Sequence, residues 1–246
     1  MEKEGRHDLH ISGAGSASGG IFGNVAIEGT AKITGDIDCL DLMVDGVARI
    51  HGNIKAETGK VNGVALINGA WQSDKLIVSG YSKIAGDISV KQIRIEGSTR
   101  LNSSISAEEV EIAGHAKIKG DCEAEVFISR GVFTIGGMLN AGSIDILSIG
   151  RCQVRDVGGE NISVRRGNPN LLVKILTSIL SSPGFITETI EADDISLEYS
   201  SVKVVRGGNV RIGPGCHIDL VEYRDSIECD DRANVKELRR TGSDER

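Results

Sequence analysis

Glycine returns every 17 residues through the first half of the chain, and this interval constrains the fold more than any other feature. It stands at positions 29, 46, 63, 80, 97, 114 and 131. A second series runs through 35, 52, 69, 86, 103, 120 and 137, with Ser103 its one exception. Ile27, Val44, Val61, Val78, Ile95 and Ile112 lie two residues before glycines of the first series. Ile33, Ile50, Ile67, Ile84, Leu101, Ile118 and Ile135 do the same in the second. A register held through seven cycles without an insertion marks a repeat architecture.

Within a cycle the period is two. Val25, Ile27, Gly29, Ala31, Ile33, Gly35, Ile37 and Cys39 alternate with mostly polar residues, the pattern of a half-buried strand. Because 17 is odd, alternation slips once per cycle, at outward neighbours such as Glu57 with Thr58, Asp74 with Lys75, and Lys91 with Gln92. Seventeen residues at ~3.3 Å each trace a closed path of about 56 Å, suited to three short faces around a narrow core. The spacing therefore predicts an all-β fold, a parallel β-helix (β-solenoid) of 17-residue coils. Each side chain would stack on the one 17 later, ~4.8 Å away. The predicted core ladder is Ile33, Ile50, Ile67, Ile84, Leu101, Ile118 and Ile135. A second comprises Ile37, Ile54, Trp71, Ile88, Ile105, Cys122 and Leu139.

Along the chain this gives a flexible N-terminal segment (1–20), a β-helix core (21–157), a β-helical continuation (158–228) and a charged tail (229–246). The repeat fades near 146–157. Asn168 and Pro169 read as a helix start, and a short inserted α-helix is expected over 169–182. Leu172, Ile175, Leu176 and Ile179 lie on its apolar face, which would pack on the solenoid side or cap an end. Strand patterning resumes in 185–191, 195–205 and 210–223.

Composition narrows the function. Across 246 residues the formal charge is −7, which argues against a nucleic-acid partner. With 32 Gly but only 3 Pro, collagen is excluded. No apolar run approaches the ~18 residues of a membrane span, and the first residues show no secretory pattern. Cys39, Cys122, Cys152, Cys216 and Cys229 form no C-x-x-C pair, as expected of reduced thiols in a cytoplasmic protein. No metal or cofactor is expected: Asp36, Asn53, Asp87 and Asp121 share a column but lie too far apart for one calcium ion. Nor is catalysis expected, since no histidine, carboxylate and nucleophile converge by spacing. One short stretch, 212–218, resembles the hexapeptide pattern of left-handed β-helical acyltransferases, with His217 as the candidate base.

A solenoid closes its sides but leaves unpaired backbone groups at both ends, where another copy can add. End-to-end self-assembly is thus the expected activity. The alternatives are a non-polymerising β-helical protein-binding platform and, more remotely, a hexapeptide-type transferase. One outward column is basic, with Lys32, Arg49, Lys83, Arg100 and Lys117. It is either a solvated face or a contact stripe for an acidic partner, a neighbouring filament or anionic lipid.

The unit seen as Ile27-Glu-Gly-Thr-Ala-Lys-Ile-Thr-Gly-Asp-Ile37 and Val78-Ser-Gly-Tyr-Ser-Lys-Ile-Ala-Gly-Asp-Ile88 resembles that of the bactofilins, bacterial polymer-forming cytoskeletal proteins. The resemblance covers about residues 21–145. The stretch 204–216, with Leu220-Val-Glu-Tyr223, is similar to a longer, Bacillus-type branch of that family. The resemblance implies a right-handed β-helical core. It also implies nucleotide-independent, non-polar filaments that scaffold cell shape, envelope or motility functions. Its implied partners are copies of itself, with a paralogue and envelope or membrane-associated clients as further candidates. Many members carry a short apolar membrane-targeting N-terminus, which residues 1–8 lack.

Overall fold

The structure, a computed structural model, describes residues 5–167 and 184–242. It divides into two compact units, Met1–Gly120 and Asp121–Arg246. The expected helix over 169–182, with Leu172, Ile175, Leu176 and Ile179, lies outside the described residues.

In the first unit the strands are β1 (His7–Ile11), β2 (Ala14–Ile27), β3 (Thr30–Val44), β4 (Val47–His51), β5 (Ile54–Val61) and β6 (Val64–Ile67). They continue with β7 (Trp71–Val78), β8 (Tyr81–Ile84), β9 (Ile88–Ile95), β10 (Ser98–Leu101), β11 (Ile105–Ile112) and β12 (His115–Ile118). All pairings are parallel, and the coil itself brings each strand back onto its neighbour. Ile33 pairs in register with Ile50, Ile50 with Ile67, Ile67 with Ile84, Ile84 with Leu101, and Leu101 with Ile118. These side chains are all buried. The outward doublets at 57–58, 74–75 and 91–92 fall inside the eight-residue strands, where two successive residues are exposed and the chain bends to a new face.

Two devices hold coil on coil. At the first glycine column the backbones nearly touch: a Cβ on Gly63 would lie 2.0 Å from the Gly46 oxygen, and one on Gly80 2.1 Å from the Gly63 oxygen. A side chain there would force the layers apart. At the other corner, an Asp or Asn side chain accepts the backbone N–H of the residue one coil on. Asp36 Oδ1 takes the amide of Asn53 at 2.7 Å, and Asn53 Oδ1 that of Ala70 at 2.9 Å. Asp87 holds Ser104 N at 3.1 Å, and within the second unit Asp121 holds Met138 N at 2.8 Å.

Trp71 occupies a ladder position held by isoleucine at 37, 54, 88 and 105 and is 1% exposed. Gly59 makes room for it, since a Cβ there would meet the indole at 2.2 Å. The indole N–H donates to Ser73 Oγ at 3.0 Å, and that hydroxyl donates to the Lys75 carbonyl.

The second unit contains β13 (Cys122–Ser129), β14 (Val132–Ser148), β15 (Arg151–Arg166), β16 (Gly184–Leu197), β17 (Ser200–Ile212), β18 (His217–Cys229) and β19 (Asn234–Arg240). It too is a parallel solenoid, but its coils differ in length. Cys122 pairs with Leu139, Thr134 with Gln153, Ser143 with Asn161, Phe185 with Ser200, and Ser201 with His217. Those intervals are 17, 19, 18, 15 and 16 residues. Ile135 is buried and pairs with Val154.

Three expectations are corrected. The N-terminal segment (1–20) is strand from His7 to Ile11 and from Ala14 onward. Its small residues still hydrogen-bond as a coil, with Ala14 opposite Thr30 and Gly15 opposite Ala31. Beyond 146–157, where the 17-residue interval fades, parallel stacking continues with unequal coils, as the β-helical continuation over 158–228 predicts. The later strands break at 198–199 and 213–216 rather than at 192–194 and 206–209. Tyr199 (φ 46°) and Gly215 (φ 70°) turn the chain, whereas Asp193 with Asp194 is an outward bend inside β16. Finally, residues 234–240 of the charged tail pair with β18, helped by Lys236 on Asp219 (2.7 Å) and Arg239 on Glu222 (3.1 Å).

Trp71→Ile should lower unfolding free energy by about 2–4 kcal/mol through the void left beside Gly59. Gly59→Leu alone should also destabilise, through overpacking. In the double variant the two effects should cancel in large part, read by denaturant titration. Gly80→Ala should cost on the order of 2–4 kcal/mol, the range of severe single-site changes, because backbone, not a flexible side chain, opposes the added methyl.

Candidate assembly surfaces

The outermost strands are the first candidate site. β1 pairs only with β2, and β19 only with β18, so each has one edge unpaired among the described residues. The inward ladder Ile190, Val205, Val221 and Leu238 is in register. Its first three members are fully buried, but Leu238, on the last described strand, is 51% exposed. In the first unit Leu9 and Ile11 of β1 are half-buried, while Val25 and Ile27, their partners in β2, are 1% exposed.

The basic column is a second candidate. Lys32, Arg49, Leu66, Lys83, Arg100 and Lys117 follow one another in register along β3, β4, β6, β8, β10 and β12. All five cations are exposed. The core-ladder residues, by contrast, are inaccessible and only hold the coils together.

The remaining chemistry-bearing side chains are dispersed. His217 is exposed opposite Ser201 and Asn234. His51 shares a hydrogen bond with Asn68 at 3.0 Å, and His10 lies 3.3 Å from Glu28. Among the described residues no group of three or more His, Cys, Asp or Glu is placed to hold a metal ion. The Asp36, Asn53, Asp87 and Asp121 column is occupied in capping the next coil. In the second unit a groove of about 360 Å³ is floored by Ile144, Ile162, Ile195 and Val210. The polar groups on it bond one another: Asn209 donates to Asp194 (2.9 Å), and Ser226 to Asn209 (2.8 Å).

Cys39, Cys122, Cys152 and Cys216 are buried, and Cys229 is exposed. Sequence spacing offered no role for Cys216, yet it is a core residue whose thiol donates to the Leu197 carbonyl at 3.3 Å. Burial pushes the Cys39 and Cys122 thiols up to about 12 and the Cys152 thiol to about 11. They are therefore neutral, poor nucleophiles at physiological pH.

No helix among the described residues is long and apolar enough to cross a membrane. No family model matches the chain, and no solved structure matches it. Two curated proteins of Bacillus subtilis (strain 168) do. One, the uncharacterized protein YhbE, is 38% identical over 105 residues, 42% of this chain and 42% of that protein. The other, the uncharacterized protein YhbF, is 37% identical over 102 residues, 41% of this chain and 40% of that protein. The chain thus matches about two fifths of the length of each relative.

In the native protein a thiol reagent should modify Cys229 alone, the other four reacting only in denaturant. Free thiols ionise at about 8.5, whereas the buried ones stay neutral to higher pH. Their contribution to stability is complete below the unfolded value and is lost as pH rises towards 12. Stability should fall above pH ~9, where unfolded thiols ionise, and Cys122→Ala should show a smaller alkaline loss.

Proposed function

We propose that this chain is a polymer-forming structural protein of the bactofilin type, built to assemble end to end with other copies of itself. The observation that carries the reading is the pair of terminal coils. Among the described residues each offers an unpaired strand edge and a less buried row member, Leu9 and Ile11 in β1 and Leu238 in β19. A further copy would supply the missing partner strand and cover the exposed ladder residue, continuing hydrogen bonds and apolar contacts in one step.

The 17-residue unit around Ile27–Ile37 and Val78–Ile88 supports the bactofilin reading. Its implied functions, nucleotide-independent filaments that scaffold cell shape, envelope or motility in the cytoplasm, come with it as part of this proposal. In this reading the chain acts by assembly and performs no catalysis. The buried ladders give the filament stiffness, and the outer faces remain free for clients.

Negative-stain electron microscopy and sedimentation at several concentrations test this. Purified protein should form filaments above a threshold concentration. Leu238→Glu, which places a charge on the terminal row, should raise that threshold at least ~10-fold, since burying an unpaired charge costs more than the ~1.4 kcal/mol a tenfold change represents. A protein that stays monomeric at every concentration refutes the proposal.

A further inference from the structure

The charges of the first unit are sorted by face. Residues 30–119 contain eleven Lys and Arg and eleven Asp and Glu. The face formed by β4, β6, β8, β10, β12 and the start of β3 carries Lys32, Arg49, Lys83, Arg100 and Lys117, with Lys119 just past the end of β12, and no carboxylate. The other faces therefore hold five cations against eleven carboxylates. A stretch that is neutral in sum is +6 on one side and −6 on the rest.

The two sets differ in what they touch. The carboxylates are engaged within the chain. Asp36 and Asp87 hold backbone amides, Asp38 meets Arg6 at 2.8 Å, Asp74 meets Lys91 at 3.0 Å, and Arg94 bridges Glu96 and Glu111. None of the six cations forms an ion pair with a described residue. Arg100 only lies over the Tyr81 ring, 5.9 Å from its centre. None of the six finds a counter-charge among the described residues of its own copy.

The face is not purely ionic. Leu66 interrupts the cation column between Arg49 and Lys83, and Val47, Val64 and Tyr81 form the column beside it. All four are half-buried. The result is a flat sheet face with an apolar centre and cations above and below it, spanning about 24 Å at the ~4.8 Å rung spacing. A nucleic acid would meet the cations but leave these apolar groups against phosphates. A bilayer offers both layers at once, anionic headgroups outermost and apolar chains just beneath.

We propose that this face of the first unit docks on an anionic lipid bilayer, its Lys and Arg on the headgroup phosphates and Leu66 and Tyr81 at the interface. The docking needs one copy only and does not rest on end-to-end assembly.

Flotation of the purified full chain with vesicles tests it. One set is phosphatidylcholine alone, the other equimolar phosphatidylcholine and phosphatidylglycerol. The protein should float with the anionic vesicles only and be released at about 0.5 M salt, where screening shortens the reach of surface charge. At ~1 kcal/mol for each cation near the surface, Lys83→Gln with Arg100→Gln should weaken binding about 25-fold. Leu66→Gln should weaken it independently of salt. Lys55→Gln with Lys75→Gln, on the other faces, should leave it unchanged, and circular dichroism should show every variant folded. Equal flotation with neutral vesicles, indifference to Lys83→Gln with Arg100→Gln, or no flotation at all overturns the proposal. Capture by soluble polyglutamate in place of vesicles would assign the face to an acidic polypeptide and overturn it equally.

Discussion

Everything in the first unit depends on one contact, the near-touching of successive backbones at the glycine corners. Where Gly80 lies on Gly63 and Gly63 on Gly46, no atom fits between layers. This fixes both the height of each coil and the point at which the chain turns. Once the corner is set, residues 17 apart must coincide. Ladders, Asp and Asn caps, and surface columns then follow without further instruction. The hydrogen bonds along the strands are those of any parallel sheet. What is particular here is that each coil has the same circumference, so that small errors do not accumulate.

The departures from uniformity are compensated locally. Trp71 is too large for its ladder, and the chain answers with Gly59 in the neighbouring column and with Ser73 to receive the indole N–H. Ser82 and Thr99 place hydroxyls in a column that is alanine at 31, 48, 65 and 116 and bond each other at 3.0 Å. No described buried side-chain polar atom lacks a partner. An interior this narrow admits few waters, so each polar group inside needs a partner on an adjacent layer.

Much of this was legible beforehand because a fixed interval turns sequence position into height. The ladders, the outward bends and the inward cysteines at 39, 122 and 152 all follow from counting. Counting fails where circumference varies. Alternation persists in β15 to β18, but intervals of 19, 18, 15 and 16 move the columns, so Cys216 could not be placed in the core. It fails also for residues 14–20, whose alanines, glycines and serines carry no apolar signal although their backbone pairs with β3, with one register shift between Ser18 and Gly20. The role of Gly59 was hidden because it belongs to neither glycine series, and only the size of Trp71 hinted at it. At the candidate surfaces the cation column was visible in the chain. The absence of any carboxylate across its whole face, and the commitment of the carboxylates elsewhere, required three dimensions. The terminal rows required them too, since Leu238 becomes a core residue without a cover only once the coil beneath it is known.

The sorted charges give the first unit a transverse dipole, directed across the coils rather than along them. A transverse dipole experiences torque in an electric field even where the net force on it vanishes. Near any charged plane such a body rotates before it lands, so that which side arrives first is decided at a distance. Copies joined through their ends in a constant azimuth would add these moments, and the longer the row, the more firmly it would be held with one flank towards the plane.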